Sequence, residues 1–132
     1  LYPYNTLHEM ATLTPTLTLA STDISASEAL NLSVTDSLAI AGGAAQFQLA
    51  TSTTSTRFLT SGNFTKSYVY LRNLSTTAAE IITIEKSDGG DEYLFLGAEE
   101  FAFFPWASTV DFFADAAEGT PILEVRVFQA AS

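Results

Sequence analysis

From Lys66 to Gln129 the chain repeats one pattern, in which a short apolar segment is followed by a turn-forming one, and no helical period occurs. Val, Ile, Leu, Tyr and Phe dominate the apolar segments, at 67–72, 80–85, 93–96, 101–104, 110–114 and 122–128. Asn, Asp, Gly, Ser and Thr are concentrated between them. Short strands at this spacing are typical of antiparallel sandwiches and barrels. The sequence therefore predicts an all-β fold, an antiparallel β-sandwich of jelly-roll-like or Greek-key type.

The first half of the chain contains weaker strand signals of the same kind. Residues 16–19, 30–35, 38–40, 46–49 and 57–60 are predicted strands, most of which alternate apolar and polar residues. Alternation at period two predicts one buried face, so we expect Leu30, Leu32 and Val34 to point inward. Residues 51–56 are only Ser and Thr, and they form either a solvated loop or a polar edge strand.

Two features of the second half predict specific pairings. Glu124 and Arg126 lie two residues apart on one face of a strand and are expected to pair. The segments 93–96 and 101–104 are predicted to form a hairpin, joined by the loop 97–100. Pro105 cannot donate to a sheet ladder, so it either ends its strand or lies at a sheet edge.

The N-terminus has no strand register of its own. We assign residues 1–15 to an extended arm and residues 16–132 to a single β-sandwich domain. Tyr2, Tyr4, Leu7 and Met10 are the expected contact residues of the arm, which packs on its own domain or docks on a neighbouring subunit. Thr6 and Glu9 have the spacing of a capping box for one helical turn. Since the chain begins at Leu1, we expect an upstream segment that was removed or lies outside this sequence.

Charge and composition argue against several classes of partner. The formal charge is −10, and eleven of the fifteen acidic residues lie between Glu80 and Glu124. Such a surface repels phosphate backbones, so no nucleic-acid partner is expected. No apolar run is long enough to span a membrane. The chain has no cysteine, which excludes disulfides and thiolate metal sites.

Residues with catalytic potential are few, and we expect no enzymatic activity and no cofactor. His8 is the only histidine, and it lies in the arm without a nucleophile motif nearby. Glu99 and Glu100 are adjacent, so on a strand they would point to opposite faces. The turn 87–92 gathers three carboxylates and two glycines, and is either an ordinary turn or a calcium site.

An aromatic block at 101–106 is the remaining candidate site. Phe103 and Trp106 are its predicted interface residues, either in the core, in a subunit interface or in a platform for stacking sugars.

Five stretches carry a resemblance to a known group of proteins: 64–73, 79–84, 96–106, 111–116 and 119–128. Together they resemble small virion proteins of tailed bacteriophages, especially marine ones. The similarity covers mainly residues 58–129 and consists of strands and turns, without a catalytic motif. It implies a β-sandwich component of the particle, either on the capsid exterior, often as a trimer, or in the neck, tail or fibre.

From this resemblance we expect a non-enzymatic decoration or cement protein on the outside of the phage head. Its partner would be the major capsid protein or another virion protein, and it would form a homo-oligomer, with a trimer as the first expectation. Deleting residues 1–13 is expected to leave a folded domain that no longer assembles. The alternative is a neck, tail or fibre module that binds another virion protein or a host-surface glycan. In the glycan case, exposed aromatics near Trp106 and an acidic calcium-binding turn would form the site.

Overall fold

The computed structural model describes residues 10–41, 44–87 and 90–131. The fold is all-β, and every strand pair is antiparallel. The strands are β1 (Met10–Leu13), β2 (Thr16–Ser21), β3 (Leu30–Thr35), β4 (Leu38–Ala41), β5 (Ala45–Ala50), β6 (Thr56–Leu59), β7 (Ser67–Asn73), β8 (Ile82–Glu85), β9 (Glu92–Leu96), β10 (Phe101–Trp106), β11 (Phe112–Ala116) and β12 (Ile122–Gln129). Each predicted strand is confirmed, with its ends displaced by at most two residues.

The described chain divides into two compact units. The first contains residues 10–41 and Ala131, and the second contains residues 44–87 and 90–130. Residues 10–13 of the predicted arm, for which no strand was expected, form β1 and pair with β4. The boundary between an arm at 1–15 and a domain at 16–132 stays a prediction, because residues 1–9 lie outside the described residues.

The second unit is a β-sandwich of two four-stranded sheets, with the orders β10-β7-β12-β5 and β6-β11-β8-β9. Its first four strands pair with its last four in reverse order: β5 with β12, β6 with β11, β7 with β10, and β8 with β9. A long hairpin rolled into two sheets produces this nested pairing, which is the jelly-roll arrangement. The predicted sandwich is therefore confirmed, and its topology is that of a jelly roll.

The predicted hairpin between residues 93–96 and 101–104 is wrong. β9 pairs with β8, whereas β10 pairs with β7 in the other sheet. The four residues from Gly97 to Glu100 therefore carry the chain across the sandwich from one sheet to the other. Pro105 is compatible with its place in β10 because β10 is the terminal strand of its sheet. A short loop between two apolar segments does not by itself distinguish a hairpin from such a crossing.

Alternating side chains from both sheets form the core of the sandwich. In β12, Leu123, Val125 and Val127 are buried, and the side chains between them are half-buried. The other members of the core cluster are Leu59, Val69, Leu71, Ile82, Ile84, Leu96, Trp106, Phe112 and Ala114. Burying aliphatic side chains of this size stabilises a fold by about 1.5–3 kcal/mol each.

A buried amide connects the two sheets at one end of the sandwich. The Asn73 Nδ2 atom donates to the carbonyl oxygens of Glu80, at 2.8 Å, and Leu96, at 2.9 Å. The Asn73 Oδ1 atom accepts from the Ser75 backbone amide at 2.9 Å. Asn73 is fully buried, so these bonds satisfy groups that would otherwise be desolvated without partners.

The first unit is built from two two-stranded pairs, β1 with β4 and β2 with β3. Between them the backbone amide of Asp36 donates to the carbonyl oxygen of Pro15 at 3.1 Å, which continues the pairing across the break. We call the pair β2–β3 the ribbon. Its expected alternation is present, but the inward orientation expected for Leu30, Leu32 and Val34 is wrong. These side chains are exposed, because a two-stranded ribbon has no second layer of its own to cover them.

Candidate functional site

Buried carboxylates were the first candidates for chemistry in the described residues. Glu85 is only 3% exposed and stands opposite Phe113 in β11 and opposite Glu92 in β9, beside a register shift. Burial raises the pKa of Glu85 above its ordinary value of 4.5, and interaction with Asp115 raises it further. Among the described residues, the Oε1 atom of Glu85 has no hydrogen-bond partner. The Glu85 carboxyl group is therefore enclosed by the fold, whereas Asp115 is half-buried.

A second acidic side chain has a structural role. The backbone amide of Ser61 donates to Asp111 Oδ1 at 2.7 Å, and Arg57 lies 3.4 Å from Asp111 Oδ2. The Ser61 amide, followed by smaller effects of the Ser61 side chain and Arg57, lowers the pKa of Asp111. Asp111 therefore stays ionised and holds the turn after β6, as carboxylates that accept backbone amides commonly do.

The turn between β8 and β9 is held by contacts of its own. The Lys86 amide donates to the Asp91 carbonyl at 2.9 Å, and the two side chains form a loose ion pair at 3.7 Å. Asp88 lies outside the described residues, so the calcium alternative for residues 87–92 stays a prediction. Within the described ranges, no cluster of three or more acidic, histidine or cysteine side chains has the geometry to hold a metal ion.

The strongest candidate surface lies along one edge of the jelly roll. β9 and β10 are the terminal strands of their respective sheets, and the turn 97–100 joins them. Both strands expose aromatic side chains, which we call the aromatic edge: Tyr93, Phe95, Phe101 and Phe103. Phe95 and Phe101 each expose 61% of their surface, a high value for phenylalanine in a strand. Phe95 and Phe101 line a shared hollow at this edge, and Tyr93 and Phe103 line a second one. Large exposed apolar groups that lie together in this way can mark interaction sites.

An apolar pocket of about 380 Å³ opens between the two sheets at this edge. Strands from both sheets and the loop before β11 line it, with Ile84, Tyr93, Leu94, Ala102, Phe103, Phe104, Val110 and Phe112. Phe112 contacts Tyr93 and Phe104 edge-on, with ring centroids 5.3 and 5.6 Å apart. The lining is almost wholly apolar, so the pocket suits a hydrophobic side chain better than a polar ligand.

Acidic groups surround the aromatic edge. Glu92 begins β9, and Glu99 and Glu100 lie in the turn between the two strands. The side chain of Glu100 accepts a hydrogen bond from the Gly97 amide at 2.7 Å, and this bond closes the turn. Within the turn, the Glu99 backbone lies in the left-handed region, with φ of 65°. Arg72 is the cation beside this turn, and its Nε donates to the Glu99 carbonyl at 3.2 Å. The edge therefore presents hydrophobic groups next to three carboxylates and the guanidinium group of Arg72, which is the cross-strand partner of Phe101.

The structure separates the two predicted aromatic residues. Phe103 lies on the outer side of β10 at the aromatic edge, and its ring stacks on Tyr68 at 6.4 Å. Trp106 is only 3% exposed, stacks on Phe112 at 5.6 Å and donates its Nε1 hydrogen to the Val110 carbonyl at 3.1 Å. Trp106 is a core residue, so its indole face is not available to a ligand on the surface. The alternation of β10 decides this difference.

The predicted arm residues are mostly beyond what the structure describes. Tyr2, Tyr4 and Leu7 lie outside the described residues. Met10 begins β1 and exposes 69% of its surface. Sequence reasoning missed Tyr93 and Phe95 as surface residues, and their position directly before the acidic turn 97–100 was the signal that could have found them.

Comparison with protein-family models, curated proteins and solved structures gives no significant match. In the part of the chain that the structure describes, no helix is long and apolar enough to cross a membrane.

Proposed function

We propose that this chain is a structural protein of a virus particle, which binds the outside of the capsid and stabilises it without catalysing a reaction. The aromatic edge is the observation that carries this proposal. Jelly rolls are common in viral capsid proteins and in lectins, so the fold is compatible with such a role. Fold alone does not establish function, since one fold can carry many functional surfaces.

The aromatic edge has the composition of an interface centre. Aromatic side chains are enriched where alanine substitution weakens protein complexes most, particularly when they surround a pocket that a partner side chain fills. A stable interface buries about 800 Å² on each partner. Phe95 and Phe101 would supply the apolar centre, and the acidic turn 97–100 would supply part of the polar rim.

Charge selects the kind of partner. The aromatic edge has Glu92, Glu99 and Glu100 around it, so a favourable partner surface carries lysine or arginine next to an apolar side chain. The same acidity disfavours contact with the packaged nucleic acid. A major capsid protein with a basic and apolar outer surface is therefore the proposed partner.

Co-sedimentation with capsids of the virus that encodes the chain tests this proposal. A double variant with Phe95→Ser and Phe101→Ser should bind capsids at least tenfold more weakly than the unmodified chain. The reason is that loss of a hot-spot residue costs about 2 kcal/mol of binding free energy. Gln46→Ser with Gln48→Ser is the matched control. It also removes two exposed side chains from a terminal strand, but at the opposite edge, in β5, where they pair with the outward-facing Arg126 and Glu124.

Two outcomes would refute the proposal. The unmodified chain could fail to sediment with capsids, or the double substitution at Gln46 and Gln48 could weaken binding as much as the double substitution at Phe95 and Phe101. Near-ultraviolet circular dichroism of each variant checks that the core around Trp106 is unchanged.

A glycan-binding module is the second candidate, and one observation favours it. The outer face of the sheet β10-β7-β12-β5 places the stacked Tyr68 and Phe103 beside the ion pair of Arg126 and Glu124, which are 3.0 Å apart. Aromatic rings next to charged groups can recognise sugars. The apolar pocket argues against this function, because sugar sites need several placed polar groups. Binding on a glycan array that is lost with Tyr68→Ala would favour the glycan function over the capsid function.

A further inference from the structure

The ribbon has two faces of opposite character. Its register places Leu17 opposite Val34, Leu19 opposite Leu32 and Ser21 opposite Leu30. The face defined by these pairs, which we call the apolar ribbon face, carries five large aliphatic side chains: Leu17, Leu19, Leu30, Leu32 and Val34. The opposite face carries Thr16, Thr18, Ala20, Asn31, Ser33 and Thr35. Strict alternation in both strands produces this separation.

The five aliphatic side chains are exposed by 36–51%. Exposure of this extent is costly in water, and patches that exceed a few hundred Å² usually mark an interaction site. An isolated two-stranded ribbon is also only marginally stable, whereas strands with a covered apolar face are stable. Both arguments indicate that the apolar ribbon face is covered in the functional state of the protein.

The charge distribution indicates what covers the apolar ribbon face. The strands Thr16–Ser21 and Leu30–Thr35 contain no charged residue, whereas the chain as a whole carries a formal charge of −10. Two copies of so acidic a chain repel one another, and they approach at least cost through an uncharged surface. A basic partner would instead be attracted to the acidic surfaces of the chain. An uncharged face of regularly spaced leucines therefore fits a second copy of itself.

We propose that the apolar ribbon face joins copies of this chain into a homo-oligomer, in which ribbons of neighbouring copies pack face to face. Packed in this way, two ribbons form a small sandwich about 10 Å thick, with leucines from both copies in its centre. Leu19 and Leu32, which are direct partners in the middle of the ribbon, lie at the centre of this contact. The inference goes beyond capsid binding and holds whether or not a capsid is the partner.

The first test is the solution mass of the full chain, measured by light scattering over a dilution series. The unmodified chain should be an oligomer, and Leu19→Lys with Leu32→Lys should reduce the mass to that of the 14.1 kDa monomer. Thr18→Lys with Ser33→Lys is the matched control. It adds the same charge at directly paired positions of the same strands, but on the opposite face, so the oligomer should persist.

Three results would overturn the inference: a monomeric unmodified chain, an oligomer that survives the leucine substitutions, or equal dissociation by both double variants. Fluorescence of Trp106, which is the only tryptophan and lies in the jelly-roll core, verifies that each variant retains its folded second unit.

Cysteine cross-linking supplies a second test that does not add charge. Because the chain has no cysteine, Leu19→Cys introduces a single thiol at the proposed contact. Oxidation should convert Leu19→Cys to a disulfide-linked dimer much faster than Thr18→Cys, whose thiol faces the other way. Equal cross-linking of the two variants would show that the apolar ribbon face is not the contact, even if the chain is an oligomer.

Discussion

The ribbon and the jelly roll use the same strand pattern with opposite results. In β3, Leu30, Leu32 and Val34 alternate with polar residues and remain exposed, whereas in β12 Leu123, Val125 and Val127 alternate in the same way and are buried. The difference is the presence of a second sheet. β12 lies in a four-stranded sheet that packs on another, and β3 has one partner strand. Alternation thus specifies which side chains share a face, but it does not specify whether that face is covered.

The jelly roll contains its own core, so a rigid scaffold supports the edge that we propose as a contact surface. The ribbon exposes an apolar face that would be buried in a sandwich. Such a face is expected of an element that is covered only when the protein assembles. Substitutions that separate stability from assembly test whether this distinction is correct.

The largest expected effect on stability comes from replacing one leucine with alanine in each of the two regions. Leu71→Ala, at a fully buried position of β7, should lower the free energy of unfolding by about 2–5 kcal/mol because it leaves a cavity. Leu32→Ala, at an exposed position of the ribbon, should change it by about 0.5 kcal/mol or less in the monomer. Urea denaturation followed by Trp106 fluorescence measures both. Similar losses for the two variants would show that the ribbon is part of a shared core.

The next effect concerns the buried amide that connects the sheets. Asn73→Asp keeps the shape of the side chain but replaces the donor to the carbonyl oxygens of Glu80 and Leu96 with an acceptor. Each unsatisfied buried group costs about 1–3 kcal/mol, so the variant should be among the least stable at neutral pH. Thermal unfolding measures the loss, and Asn31→Asp on the exposed ribbon is the matched control, with little expected change. A small effect at Asn73 would mean that water replaces its bonds.

A smaller, pH-dependent effect is expected at Glu85. Since burial and Asp115 raise its folded pKa above the ordinary 4.5, the contribution of Glu85 to stability is fully present below that value. That contribution is lost as the pH rises through the raised folded pKa, because the ionised form is disfavoured in the folded protein. Glu85→Gln should therefore raise Tm at pH 7 and change it little at pH 4.

A pH series of melting curves tests this expectation. Glu118→Gln, at an exposed position after β11, is the control and should leave the pH profile unchanged. A Glu85→Gln variant that loses stability at neutral pH would show that the fold favours the ionised carboxylate, which contradicts a raised pKa for Glu85.

The positions of the strands were easier to predict from the sequence than the residues of the candidate site. Segments such as 30–35 and 122–128 carry their strand identity in local alternation, and the structure confirms them. The pairing of Glu124 with Arg126 was also predictable, since both lie on one strand two residues apart. The interface role of the aromatic block at 101–106 stays a prediction. Alternation in β10 implies that Phe103 and Trp106 point to opposite faces, but only the packing of the second sheet decides which of these faces is the core.

The sequence alone determined that this chain is an antiparallel β protein whose strands have two different faces. The reason is that β-branched and aromatic residues at period two favour pleated strands locally. Only the tertiary structure decided that β9 and β10 belong to different sheets, that Trp106 is buried while Phe103 is exposed, and that the ribbon leucines lack a covering layer. These outcomes depend on pairings between strands far apart in the chain, such as β5 with β12. Local preferences are similar for every such pairing, so packing of the two sheets selects among them.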